Sequence, residues 1–304
     1  MPQVSGQVVI TSLKKPKTVA YALDTADSGA GGLALGVCLM HGASGSLESP
    51  TLQAVASAVA VAGFPCLRFT CRGNLQHRVN VCKELLEEHA GTMAGLEGTR
   101  RWVLAGHSMG ARVACQVSGD VPQLVAACIG LSYPLHPPDQ PTQLRDELLV
   151  GVQQPLLLVR GTRDPFSQQH LWDGVLQRLS SSMPIIHSVD AGDHSLKVAA
   201  GKESGAATAA ALEAVCSAVQ QFLQRLPQQD AAAAISQALE SAAATEKDPG
   251  GATRKTKRAA VGAAVARKDS SKSAGGARKR KQMKSAPAAA APHHKEKGAV
   301  KRRR

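Results

Sequence analysis

The sequence predicts an α/β domain with a mostly parallel, doubly wound sheet over residues 1–226. An Ala-rich helical extension over 227–247 and a disordered basic tail over 248–304 follow it. Three observations carry this reading. Short apolar runs alternate with helix-like stretches from Val8 to about Leu226, the pattern of a parallel sheet with crossover helices. Several runs are continuous rather than alternating, as in strands buried on both faces. The formal charge of +13 is also unevenly placed: residues 246–304 hold 19 Lys and Arg against 4 Asp and Glu, and residues 1–245 hold 17 against 19. The last large aromatic is Phe222, so the tail has little with which to build a core.

Taken in order, the predicted strands are residues 8–10, 34–40, 65–70, 102–105, 127–132, 156–160 and 185–189. Helical stretches lie between them, among them 51–62, 81–89 and 110–117. The last helix is marked by Leu212, Val215, Val219, Phe222 and Leu226, which form one apolar stripe at helical spacing. Beyond Pro227, residues 231–244 are Ala-rich and offer little to bury. From Asp248-Pro249-Gly250-Gly251 onward, Lys, Arg, Ala, Gly, Ser and Pro dominate.

The seven cysteines show neither a CxxC pair nor a Cys/His spacing suited to zinc. Most sit in apolar runs, where a reduced thiol packs as a small hydrophobe. The first residues lack a continuous apolar segment of the secretory kind, and no uninterrupted apolar stretch reaches about 18 residues. A soluble intracellular protein with reduced cysteines is expected, without membrane contact.

The sharpest chemical signal is Gly106-His107-Ser108-Met109-Gly110, placed between the apolar run 102–105 and the helical stretch after it. That is the G-x-S-x-G nucleophile elbow in strand–turn–helix context. Gly106 and Gly110 leave room for a tight, strained turn that lifts the Ser108 hydroxyl above the carboxyl ends of the strands. A serine needs a base, and the base needs an orienting carboxylate. Asp164 follows the run 156–160, and His194 follows the run 185–189 in Asp193-His194-Ser195. The order Ser108, Asp164, His194 is that of the α/β-hydrolase fold. Two backbone amides are expected to receive the oxyanion: Met109, just after the nucleophile, and Ala43 in His41-Gly42-Ala43-Ser44-Gly45, with Gly42 permitting close approach. His107 is expected to pack behind the nucleophile. His136 is read as a pocket-lining or structural loop histidine. Arg68, Arg72 and Arg78 are read as a solvated face, with contact to an acidic substrate group as the alternative.

These residues resemble one branch of the α/β-hydrolase superfamily. It contains testis-expressed hydrolase-like proteins and the hydrolase-like subunit 3 of the NSL histone acetyltransferase complex. The matching stretches are Arg68-Phe69-Thr70-Cys71-Arg72-Gly73, His107-Ser108-Met109-Gly110-Ala111-Arg112, Ser132-Tyr133-Pro134-Leu135-His136, Leu144-Arg145-Asp146-Glu147 and Asp193-His194-Ser195. The resemblance implies an α/β-hydrolase fold with a Ser-Asp-His site and no settled substrate. Members commonly carry Arg before the nucleophile, where this chain has His107. Only about two dozen residues separate the runs ending near Ser132 and starting near Leu156, so little or no cap domain is expected.

The resulting expectation is a serine hydrolase of ester, thioester or related acyl bonds, acting on a small acyl substrate without a cofactor. The rival reading is a catalytically silent interaction module, associated with chromatin through its tail. The cluster Arg278, Lys279, Arg280, Lys281, with similar runs at 254–258 and 301–304, reads as a nuclear import address, with cytoplasmic residence as the alternative. Contact of the tail with a polyanion would be sequence-independent and weakened by salt.

Overall fold

The computed structural model describes residues 3–25, 35–198 and 204–245, with residues 227–245 described as helix backbone. The tail and its basic clusters lie outside the described residues. Among the described residues, eight strands form one sheet. They are β1 (Gln3–Ile10), β2 (Lys17–Asp24), β3 (Leu35–Met40), β4 (Cys66–Phe69), β5 (Arg101–His107), β6 (Val125–Leu131), β7 (Leu156–Gly161) and β8 (Pro184–Val189). The spatial order is β1-β2-β4-β3-β5-β6-β7-β8. Strand β2 pairs antiparallel with both β1 and β4, and every pairing from β4 to β8 is parallel.

The two faces of the sheet follow from strand alternation. Leu35, Val37 and Leu39 of β3, with Val103 and Ala105 of β5, pack under helices α1 (Pro50–Val61) and α6 (Ser204–Thr245). Cys38 and Met40, with Trp102 and Leu104, face the opposite way. There they meet α2 (Leu75–Glu84), α3 (Met109–Asp120), α4 (Glu147–Val150) and α5 (Gln169–Leu176). Both faces are covered, which is why the central strands read as unbroken apolar runs. The stretch Ser204–Leu226 of α6 is long and apolar enough to cross a membrane. Its stripe of Val215, Val219, Phe222 and Leu226 is nevertheless buried within the core beneath α1.

Two elements differ from the sequence expectation. Strand β2 is absent from the expected strands although residues 19–23 form an apolar run; four of its eight residues are exposed or half-buried, and it is held by backbone pairing on both sides. Helix α2 begins earlier than residue 81, where the Asn74 side chain accepts from the His77 amide. It then widens into a π-helical turn over Leu85–His89.

Glu84, 7% exposed at the end of α2, ties the β1–β2 connection to the body of the domain. One carboxylate oxygen accepts from the Thr11 amide (2.5 Å) and hydroxyl (3.0 Å); the other accepts from the Ser12 amide (2.9 Å) and hydroxyl. Burial by itself raises the pKa of this carboxyl, but the four donors outweigh it and leave the group at about 2. A depressed folded-state pKa stabilises the fold above the unfolded value and loses that contribution as pH falls toward 2. Glu84→Gln is expected to cost about 2 kcal/mol at neutral pH, since its amide nitrogen confronts two donors. The gap from wild type in urea midpoints should close between pH 4.5 and about 2.

Between β6 and β7 the chain forms a short connection whose one α-helix among the described residues is α4, four residues long. Among the described residues, no cap domain covers the carboxyl ends of the strands. The connection is braced from within: Tyr133 Oη donates to the Arg145 carbonyl (3.0 Å), and the Arg145 amide donates to the Leu135 carbonyl (2.7 Å).

Candidate active site

Strand β5 ends at His107 and helix α3 begins at Met109, so the whole reversal falls on Ser108. Its backbone sits at φ 53° and ψ −112°, a left-handed conformation that a non-glycine residue adopts only under strain. The flanking glycines are required by space. A Cβ on Gly106 would lie 2.2 Å from the Gly110 carbonyl carbon, and one on Gly110 would lie 2.3 Å from the Met40 carbonyl oxygen. Strand and helix therefore touch backbone to backbone at the elbow, beside β3.

Asp164 lies just past the end of β7, in a turn closed by Asp164 Oδ1 accepting from the Phe166 amide (2.8 Å). His194 lies past the end of β8. Its loop is shaped by Asp193, whose Oδ1 accepts from the amides of Ser195 (2.8 Å) and Lys197 (2.9 Å). The three side chains form an unbroken relay. Ser108 Oγ donates to His194 Nε2 at 2.8 Å, and His194 Nδ1 donates to Asp164 Oδ2 at 2.8 Å, with the tautomer assigned from these partners. Asp164 is 2% exposed, whereas the His194 side chain is 21% exposed, so the relay is buried at the carboxylate and partly exposed at the imidazole. Asp190, the other carboxylate nearby in sequence, instead accepts from the Thr162 hydroxyl (3.2 Å).

Further groups hold this arrangement. His107 Nε2 donates to the His194 carbonyl (2.8 Å), and burial lowers the His107 pKa, favouring the neutral ring that this geometry uses. The Phe166 ring stands edge-on to the His194 imidazole at 4.7 Å and also meets His136 at 6.0 Å. His136 is buried; its Nδ1 donates to the Pro137 carbonyl (2.8 Å). Met109 opens α3, so its amide belongs to the first turn, where helix donors lack intrahelical acceptors. Gly42 lies against the elbow, and Ala43 beside it is exposed.

The arginines correct the reading of a solvated face. Arg72 is exposed, but Arg68 is 1% exposed and pairs with Asp24 through two 2.9 Å contacts. Arg78 is 4% exposed and turns inward to backbone carbonyls behind the site. The signal for Arg78 is in its spacing: it shares a buried helix stripe with Cys82 and Leu85, where a cation has no place unless it is bonded. Phe166 has no comparable local signal, because its partner is 28 residues away in sequence.

Comparison with known families bears on the fold. Residues 34–224 match the family profile described as an alpha/beta hydrolase domain. The chain belongs to that family. Solved hydrolases share the fold at low sequence identity. Est1E from Butyrivibrio proteoclasticus matches with TM-score 0.58 and 16% identity, covering 73% of this chain and 99% of Est1E. An alpha-beta serine hydrolase homologue from Coxiella burnetii gives TM-score 0.55 and 16% identity, over 72% of this chain and 97% of its own. XC6422 from Xanthomonas campestris, described as a serine hydrolase without lid, gives 0.53 and 16%, over 74% and 96%.

Proposed function

We propose that the protein is a serine hydrolase of small acyl esters or thioesters, with Ser108 as nucleophile, His194 as base and acid, and Asp164 as orienting carboxylate. The observation that carries the reading is the continuous Ser108–His194–Asp164 relay, with both hydrogen bonds at 2.8 Å. In the first half-reaction Ser108 Oγ attacks the acyl carbon and its proton passes to His194 Nε2. Asp164 stabilises the imidazolium, and the Met109 and Ala43 amides take up the negative oxygen. The proton then goes to the leaving alcohol or thiol. Water repeats the sequence on the acyl-enzyme and regenerates Ser108.

The short β6–β7 connection supports a compact acyl group, since among the described residues it offers only the four-residue α4 to enclose a long chain. One solved structure of Est1E holds ferulic acid, a compact aryl acid, which fits the same preference on a related scaffold. The decisive test is labelling with a fluorophosphonate, which reacts only with an activated serine. Wild type is expected to label and to hydrolyse p-nitrophenyl acetate faster than the palmitate. Folded protein that does neither would leave the silent interaction module as the function.

The finer placement, among testis-expressed hydrolase-like proteins and the NSL subunit, is supported by spatial coherence. Ser132–His136 and Leu144–Glu147, two of its sequence signatures, are bonded to each other through Tyr133, Leu135 and Arg145. Nuclear residence through Arg278–Lys281 and its companion clusters belongs to the same proposal. Deleting residues 246–304 should leave ester hydrolysis unchanged and move a fluorescent fusion out of the nucleus; an unaltered distribution removes the targeting role.

A further inference from the structure

We infer that Arg78 is a positioning residue for the oxyanion-binding peptide, holding Gly42–Ala43 with its N–H turned toward Ser108. The inference rests on the serine-hydrolase reading above and deepens it. Arg78 projects from α2 into the domain, and among the described residues no carboxylate pairs with it. Its Nε donates to the Gly73 carbonyl (3.2 Å), its Nη1 to the carbonyls of His41 and Gly42 (both 3.2 Å), and its Nη2 to the Ala43 carbonyl (2.9 Å).

Three consecutive carbonyls converging on one cation is an unusual backbone state, since in an extended strand successive carbonyls alternate in direction. The cost of burying a guanidinium is offset here only by gathering those oxygens around it. Every peptide bond described is trans, so each carbonyl drawn to Arg78 turns its own N–H the opposite way. The N–H opposite the Gly42 carbonyl is that of Ala43. The nucleophile lies close to this peptide: a Cβ on Gly42 would stand 3.0 Å from His107 Nδ1 and 3.5 Å from Ser108 Cβ.

A second donor locks the same peptide. His41 Nδ1 donates to the Gly42 carbonyl at 2.6 Å, while His41 Nε2 accepts from the Cys71 amide at 3.0 Å. Burial pushes the His41 pKa down, consistent with the neutral tautomer that these two bonds require. Turning the peptide over would strip the Gly42 carbonyl from both Arg78 and His41 inside the protein. Donation from a cation to the carbonyl also polarises the amide, so its N–H becomes a stronger donor to a developing negative oxygen. Arg78 thus acts from behind, through backbone, without touching substrate.

The test compares Arg78→Gln and Arg78→Lys with wild type in p-nitrophenyl acetate hydrolysis, with inhibition by phenylboronic acid as a second readout. Arg78→Gln is expected to lower kcat about 100-fold, the scale of losing one oxyanion donor, and to leave KM within about threefold. The boronate, whose tetrahedral oxygen occupies the oxyanion position, should weaken in parallel with kcat, which a general loosening of the pocket would not reproduce. Arg78→Lys should recover about tenfold of the loss, because one ammonium reaches fewer carbonyls. A folded Arg78→Gln with kcat within about threefold of wild type overturns the positioning role and leaves the nucleophile assignment standing. Wild type that neither hydrolyses nor labels overturns both. Should the variants fail to fold, a crystal structure of the phosphonylated wild-type enzyme decides the question. The phosphoryl oxygen should lie within about 3.2 Å of the Ala43 nitrogen, with Arg78 still on the three carbonyls. An oxygen bound elsewhere, or a Gly42–Ala43 peptide facing the other way, overturns the inference.

Discussion

Ser108→Ala is expected to reduce turnover of p-nitrophenyl acetate by about four to six orders of magnitude and to abolish fluorophosphonate labelling. Stability should hardly move. The Ser108 hydroxyl bonds only to His194, while its amide donates to the Leu131 carbonyl at 2.8 Å and is retained in alanine. Alanine tolerates φ 53° no better and no worse than serine, so the strain at the elbow persists unchanged. A melting temperature within about 2 °C of wild type is the companion expectation. The result that sinks the assignment is a folded Ser108→Ala protein hydrolysing the ester at the wild-type rate.

The largest structural effect is expected at Gly106. In Gly106→Ala the new methyl meets the Gly110 carbonyl carbon at 2.2 Å, its oxygen at 2.4 Å and the Ala111 nitrogen at 2.7 Å. All three are backbone atoms at the start of α3, which is itself pressed against β3, so no side chain can swing aside. The loss should exceed about 4 kcal/mol and leave little soluble folded protein. Gly119→Ala in the same helix provides the control, because nothing lies within 4 Å of its added methyl. That substitution should be neutral or stabilise by up to about 1 kcal/mol. Equal urea midpoints for the two variants would show that the elbow tolerates separation of strand and helix.

Much of this architecture is legible in the sequence, for a local reason. Strands β3, β5, β6 and β7 are covered on both faces, so each leaves an apolar run, and the residues at their ends are then placed by topology. Ser108 and Asp164 follow such runs, His194 follows the partly exposed edge strand β8, and the structure brings the three together. Strand β2 carries the apolar run at residues 19–23 but is half exposed, and its place is set by antiparallel pairing with β4, which is distant in sequence. Arg78 is marked only by its helical spacing with Cys82 and Leu85, a signal its charge obscures. Charge suggests solvent, and only the fold shows that three carbonyls from residues 41–43 converge on it.

If Ser108 forms the acyl-enzyme proposed above, the short connection between β6 and β7 bears on what that intermediate becomes. Transfer to an acceptor other than water requires that water be kept away from the carbonyl while the acceptor binds. Here the His194 side chain is 21% exposed, and among the described residues the β6–β7 connection offers only the four-residue α4 to screen the site from solvent. Partitioning of the intermediate should therefore run overwhelmingly to hydrolysis. Added alcohols or amines should divert little of the flux, and a lone thiol or amine acceptor would have to win by intrinsic nucleophilicity.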